Sequence, residues 1–93
     1  MGKYIQEVKI HLTKHASSRM DKRSIDKWQV DQVLAYGRIC HNRKAIIYAV
    51  GRKEVREYGR FLESCEGVHV ICSSGSKVVM TTYRNHDFRG LRC

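Results

Sequence analysis

The chain has 93 residues, which we expect to form a single domain over residues 1–93 with one small hydrophobic core. Its 18 Lys and Arg residues against 9 Asp and Glu residues give a formal charge of +9, which favours nucleic acid as a partner ahead of a membrane surface. No apolar run is long enough to span a membrane, and no segment before residue 15 resembles a signal peptide, so we expect a soluble cytoplasmic protein.

The N-terminal third of the chain predicts two helices. Imperfect apolar alternation in residues 1–10 allows an edge strand, and Thr13 can then cap a helix that extends to about Arg23. Its apolar side chains recur at helical spacing, at Leu12, Ala16 and Met20.

The second helix has the clearest boundaries. Asp26 and Gln29 have the spacing of a capping box, and Gly37 is placed to end the helix. The side chains expected to face the core are Val30, Val33 and Leu34, with Trp28 beside them.

Strands are predicted beyond Gly37. Residues 45–50 form a continuous apolar run typical of a central strand, and residues 38–41 can pair with it across a polar turn. Residues 68–72 and 78–83 flank a hairpin turn. Residues 53–59 fit either a short helix or a continuation of the strand, and the conformation of 52–66 stays open. The pattern predicts an α+β domain with two N-terminal helices packed on a small antiparallel sheet of about four strands.

The four cysteines are widely spaced and lack the paired spacing of a zinc site, so we predict no metal and no cofactor. A reducing cytoplasm also favours free thiols. They are Cys40, Cys65, Cys72 and Cys93.

Two pairs of residues are candidates for catalysis. His15 and Arg19 share a face of the first helix, where imidazole and guanidinium can serve acid–base chemistry and phosphate binding, although an ordinary solvated helix surface has the same pattern. Tyr83 and Arg84 end the last strand, and because adjacent strand residues point to opposite faces, one cleft receives both only where the strand ends.

Other basic residues are candidates for nucleic-acid binding, although each alone also fits a solubilising surface. Arg52 and Lys53 follow Gly51 at the end of the central strand, where phosphate-binding side chains are often presented. Arg23 and Arg89 extend this set. His69, within an apolar strand, is expected to be a half-buried structural residue.

Three short motifs, taken in order, carry a resemblance to a known family. They are His15-x-x-x-Arg19-Met20-x-x-Arg23-x-Ile25, Val30-x-x-Val33-Leu34 and Val78-Val79-Met80-Thr81-Thr82-Tyr83-Arg84-Asn85. From about residue 10 to the end, the chain resembles the small bacterial family catalogued as domain of unknown function 4258. That family is similar in layout to toxins of the RelE and BrnT type, which carry helices on a short antiparallel sheet and cleave RNA. The resemblance implies RNA and a cognate antitoxin as partners and allows a homodimer.

Two functional hypotheses follow. The first is a metal-independent endoribonuclease of toxin–antitoxin type, in which His15 or Tyr83 moves a proton and Arg19, Arg52 and Arg84 stabilise charge on the phosphate. The second is a non-catalytic module that binds nucleic acid or an acidic protein through the same basic surface. The sequence leaves open whether the protein is an enzyme.

Overall fold

The computed structural model describes residues 11–43, 45–75 and 78–91. The edge strand expected in residues 1–10 lies outside these residues. In chain order the elements are β1 (His11–Leu12), α1 (Lys14–Lys22), α2 (Lys27–Tyr36), β2 (Arg38–Asn42), β3 (Ala45–Ala49), α3 (Arg52–Tyr58), a 3₁₀ helix (Arg60–Cys65), β4 (Val68–Ser73) and β5 (Val78–Arg84).

Both N-terminal helices begin at the predicted caps. The Thr13 hydroxyl accepts a hydrogen bond from the Ala16 N–H at 3.0 Å, which satisfies a free donor of the first turn of α1. At α2, the Asp26 carboxylate accepts from the Gln29 N–H at 2.8 Å, and the Asp26 N–H donates to the Gln29 side chain at 2.9 Å. The predicted capping box is confirmed.

Gly37 ends α2 because the chain passes very close to other backbone there. Its φ of −69° and ψ of 157° are extended values that any residue can adopt. A Cβ at this position would lie 2.5 Å from the Val33 carbonyl oxygen and 2.9 Å from that of Ala49. Glycine is therefore required for close packing between α2 and β3 and not for a left-handed turn.

The sheet has five strands in the order β1-β5-β4-β3-β2. Strands β2 to β5 are antiparallel neighbours, which confirms the predicted α+β layout with helices preceding a four-stranded antiparallel sheet. The short β1 adds a parallel partner to β5, which the sequence did not predict. The segment 53–59, which fitted either a short helix or a strand, forms most of α3, and the 3₁₀ helix follows it.

The hydrophobic core lies between the sheet and helices α1 and α2. Val33 of α2 is fully buried, as predicted, and Leu34 packs against the core from a partly buried position. Trp28 was expected beside them, but its side chain is 48% exposed. At 100° per residue, Trp28 points about 140° away from Val33 around the helix axis, so it faces solvent. The buried core contains Ala16, Met20, Ile25, Val30, Val33, Val50, Leu62, Cys65, Val68, Val70, Cys72 and Val79.

Candidate functional site

His69 lies on the face of the sheet opposite to helices α1 and α2. Its neighbours in β4, Val68 and Val70, belong to the core that the two helices cover. Because successive strand residues alternate between faces, His69 points to the other side, which we call the second face. The strand register aligns one residue from each of four strands along this face: Arg38, Ala49, His69 and Tyr83.

Aromatic packing closes the second face over His69. The His69 ring stacks on Tyr83 with centroids 4.7 Å apart, and the Phe88 ring lies 4.9 Å from His69. Phe88 belongs to the segment after β5, and the Arg38 guanidinium lies 4.6 Å from the centre of its ring. His69 is consequently 1% exposed and not half-buried as expected.

Burial sets the protonation of His69 and Tyr83. Removal from water lowers the pKa of His69, and the positive charge of Arg38 lowers it further, although the carbonyl oxygen of Gly67 at 2.9 Å acts in the opposite direction. Since that carbonyl can only accept, the neutral imidazole carries its proton on Nδ1. Burial also raises the pKa of Tyr83, so its phenol keeps its proton at neutral pH.

Arg38 is held by Glu54 at the start of α3. Two hydrogen bonds, of 3.0 and 2.9 Å, join the guanidinium to the carboxylate, and Glu54 also accepts the Gly51 N–H at 2.8 Å. Burial acts to raise the pKa of Glu54, but these hydrogen bonds and the charge of Arg38 outweigh it, so the pKa lies below its ordinary value. The ion pair therefore fixes α3 against β2.

Two cationic side chains meet around Glu66, just before β4. Arg84 donates through Nη1 to the carbonyl oxygens of Glu66 and Ser64, at 3.3 and 3.1 Å. The Arg52 Nε lies 3.7 Å from the Glu66 carboxylate. Arg52 and Arg84 therefore both contact Glu66, one at its carboxylate and the other at its carbonyl oxygen.

An imidazole adjoins the same turn. A Cβ placed on Gly67 would lie 3.0 to 3.1 Å from three atoms of the His86 ring, so the exposed ring of His86 lies directly over this glycine. Gly67 has φ of 88°, and both the backbone and the contact favour glycine. We call Arg52, Arg84, His86, Glu66 and Gly67 together the Glu66 corner.

The predicted pair on α1 lies elsewhere. The Arg19 Nε donates to His15 Nε2 at 3.4 Å on the exposed side of the helix. Tyr83 points to the second face, whereas α1 packs on the other face of β5, so the sheet separates His15 from Tyr83. The structure brings His15 and Arg19 together but does not bring them to Tyr83.

The remaining predicted binding residues have different surroundings. Arg23 donates to the Thr82 carbonyl oxygen at 2.9 Å, which ties the end of α1 to β5. Arg89 makes two hydrogen bonds to the Asp87 carboxylate, at 3.0 and 2.9 Å. Lys53 is exposed on α3 beside Arg52. Their roles in nucleic-acid binding stay predictions.

Sequence reasoning missed His86, the Arg38–Glu54 pair and the burial of His69. His86 stands in the polar cluster that directly follows β5, and this cluster was the available signal. Its contact with Gly67 joins residues far apart in the chain, and no local spacing encodes it.

Within the described ranges, no three His, Cys, Asp or Glu side chains are grouped so that they could hold a metal ion. No helix in that part of the chain is both long and apolar enough to cross a membrane. Cys65 and Cys72 form no disulfide, in agreement with the prediction of unbridged cysteines. That prediction is wrong for Cys40, which is disulfide-bonded.

The fold and the Glu66 corner define a small basic α+β protein with cationic side chains gathered at one end of its sheet. The family model described as Domain of unknown function (DUF4258) matches residues 12–84, and the chain belongs to this family. No curated protein and no solved structure matches the chain significantly. The family match ends at Arg84, so His86 and Phe88 lie beyond it.

Proposed function

We propose that the protein binds RNA at the Glu66 corner and cleaves a phosphodiester bond there without a metal ion. The observation that carries this proposal is the meeting of Arg52 and Arg84 around Glu66, with the exposed imidazole of His86 over the adjacent Gly67. Guanidinium groups beside an imidazole suit cleavage of a phosphodiester, because negative charge must be stabilised and a proton transferred at the same place.

The two arginines are suited to receive a phosphate. Both hydrogen bonds that Arg84 makes through its side chain to described residues use Nη1, so among these residues Nη2 and Nε have no acceptor and can donate to a phosphate. Arg52 is 73% exposed and its 3.7 Å contact with Glu66 is that of a weak surface pair, which a phosphate can replace. The net charge of +9 adds a general attraction for a polyanion.

His86 is the group that we assign to proton transfer, in place of His15. The ribose 2′-OH attacks the adjacent phosphorus and gives its proton to the imidazole. The bond from phosphorus to the 5′-oxygen breaks, and the leaving oxygen takes a proton from water. Arg52 and Arg84 stabilise the charge that develops on the phosphate oxygens. The products are a 2′,3′-cyclic phosphate and a 5′-hydroxyl end.

Fold analogy gives this proposal a second and weaker support. RNA-cleaving toxins of the RelE and BrnT type carry helices on a short antiparallel sheet, and this chain has that layout. For an RNA-cleaving toxin, the protein partner that we propose is a cognate antitoxin that covers the Glu66 corner.

Cleavage of a labelled single-stranded RNA in the presence of EDTA tests the proposal. We expect cyclic-phosphate products from the native chain, loss of cleavage in His86→Gln, and loss of both binding and cleavage in Arg84→Glu. Lys14→Glu is the matched control, because it subtracts the same charge at an exposed position on α1. Equal loss in Arg84→Glu and Lys14→Glu would overturn a localised site and leave only diffuse attraction.

A non-catalytic binding module is the second candidate, and the outer side of α1 favours it. Lys14, Arg19 and Lys22 form no ion pair among the described residues and lie on the same helix. Such a surface would bind RNA or an acidic protein with affinity that falls steeply as salt rises. Protection of RNA instead of cleavage, lost in Lys14→Glu and retained in Arg84→Glu, would establish this candidate.

A further inference from the structure

Three aromatic side chains cluster at the end of α3 that is remote from the Glu66 corner. The rings of Tyr36 and Tyr58 have centroids 5.0 Å apart, and Phe61 meets Tyr36 edge to face at 5.3 Å. Tyr36 and Tyr58 pack against the core, whereas Phe61 is 44% exposed. We call Tyr36, Tyr58 and Phe61 the aromatic platform.

The exposed ring of Phe61 is held in place on its inner side. A Cβ on Gly59 would lie 3.3 Å from the Phe61 ring, so the ring rests on this glycine, whose φ is 135°. The edge-to-face contact with Tyr36 supports it from a second direction. These two contacts fix a ring that is still 44% exposed, so its exposed part offers a stacking surface that needs little further ordering.

The chain segment around the aromatic platform carries two exposed arginines and two exposed glutamates. Arg60 precedes Phe61, is strongly exposed, and contacts Glu63 only at 3.6 Å. Arg56 is exposed on the last turn of α3. Guanidinium groups next to an aromatic ring suit a nucleotide, which offers a phosphate and a flat base together.

Helix α3 links the aromatic platform to the Glu66 corner. Arg52 begins the helix and Tyr58 ends it. At a rise of 1.5 Å per residue, their backbones are about 9 Å apart along the helix axis. A single strand of a few nucleotides can therefore reach from one to the other.

We propose that the aromatic platform stacks an unpaired base of a single-stranded RNA whose phosphate lies in the Glu66 corner. This inference rests on the proposed function and names its substrate class. Bases within a duplex already stack on their neighbours and do not present a free face to Phe61, so the protein prefers single strands over duplex RNA.

Fluorescence anisotropy with two labelled oligomers tests the proposal. One is an oligoadenylate RNA of about twelve nucleotides, and the other has the same phosphates with abasic sugars. We expect Phe61→Ala to weaken binding of the oligoadenylate by roughly 10-fold and to leave binding of the abasic oligomer unchanged. Phe61→Trp should retain the native affinity, whereas Phe61→Leu, which keeps an apolar side chain without a π face, should lose it.

The outcomes distinguish failure of the stacking site from failure of the proposed RNA site at the Glu66 corner. Equal binding of oligoadenylate by the native chain and Phe61→Ala would overturn the stacking site, and so would an equal loss for both oligomers. If Arg84→Glu still abolishes binding in that case, the Glu66 corner stands without the platform. If Arg84→Glu binds normally while Phe61→Ala does not, the proposed function fails and the platform binds bases by itself. Thermal unfolding of Phe61→Leu and Phe61→Ala establishes that both variants are folded.

Discussion

His69 and Tyr83 are direct partners in the register of β4 and β5, and their rings stack with an angle of 19° between the planes. This contact and the Phe88 ring, 4.9 Å from His69, bury the imidazole almost completely, while the phenol is half-buried. Each group is thereby kept in its neutral form, and the pairing makes the stability of the fold depend on pH.

The first prediction concerns that dependence on pH. Because the pKa of His69 is lowered in the folded state, the unfolded chain binds a proton below about pH 6.5 that the folded chain does not. The contribution of His69 to stability is therefore present above that pH and is lost as the pH falls. Denaturant titrations between about pH 7 and 5 should show a smaller decline for His69→Gln than for the native chain. His86→Gln, which removes an exposed imidazole, is the control, and an identical decline in all three proteins would contradict the assignment.

A second prediction follows from Thr82. Its hydroxyl is fully buried and has no hydrogen-bond partner among the described residues, although its carbonyl oxygen accepts from Arg23. Thr82→Val replaces the hydroxyl with a methyl group of similar shape, so it should stabilise the fold by about 1 kcal/mol. Thermal unfolding measures the change, with Thr81→Val at a half-buried position as the control. A destabilised Thr82→Val would mean that the hydroxyl has a partner in solution.

The third prediction tests α2 as a structural anchor. Val33 is fully buried between α2 and the sheet, so Val33→Ala removes two methyl groups from the core and should destabilise by ~1–3 kcal/mol. Binding of RNA by the folded fraction should be unchanged, because Val33 is fully buried and cannot contact RNA. Trp28→Ala, on the solvent side of the same helix, is the comparison and should lower the free energy of unfolding by less than Val33→Ala does. A smaller effect at Val33 than at Trp28 would reverse the orientation of α2.

The fourth prediction isolates the contact between Gly67 and His86. Gly67→Ala both strains the backbone at φ of 88° and displaces the His86 ring. Gly75→Ala is a closely matched control, because its φ is 82° and no atom of the described residues lies within 4 Å of the added Cβ. Backbone strain should lower the free energy of unfolding of both variants by an amount on the order of 1 kcal/mol. RNA cleavage should fall only in Gly67→Ala, and equal cleavage by the two variants would remove His86 from the site.

The parts of the fold that the sequence predicted depend on neighbouring residues. Within the capping box at Asp26, the stripe on α1 and the apolar run of β3, the residues that interact are only a few positions apart. Their spacing in the sequence therefore predicts the local structure. The candidate site depends instead on distant pairs. Two such pairs are Arg38 with Glu54 and Gly67 with His86. They come together only when the sheet has formed, so the spacing of residues in the sequence does not predict these contacts.

The segment that defines the family and the segment that closes the second face are separate parts of this chain. Among the described residues, 12–84 include all the helices and strands except for His11 of β1, whereas Phe88, which packs on His69, comes after them. Changes after Arg84 can therefore alter how water reaches a buried imidazole without disturbing the core between the sheet and α2. The access of water to the second face therefore depends on Phe88. A truncation after Arg84 would remove this ring and expose the imidazole of His69 to water and to protonation.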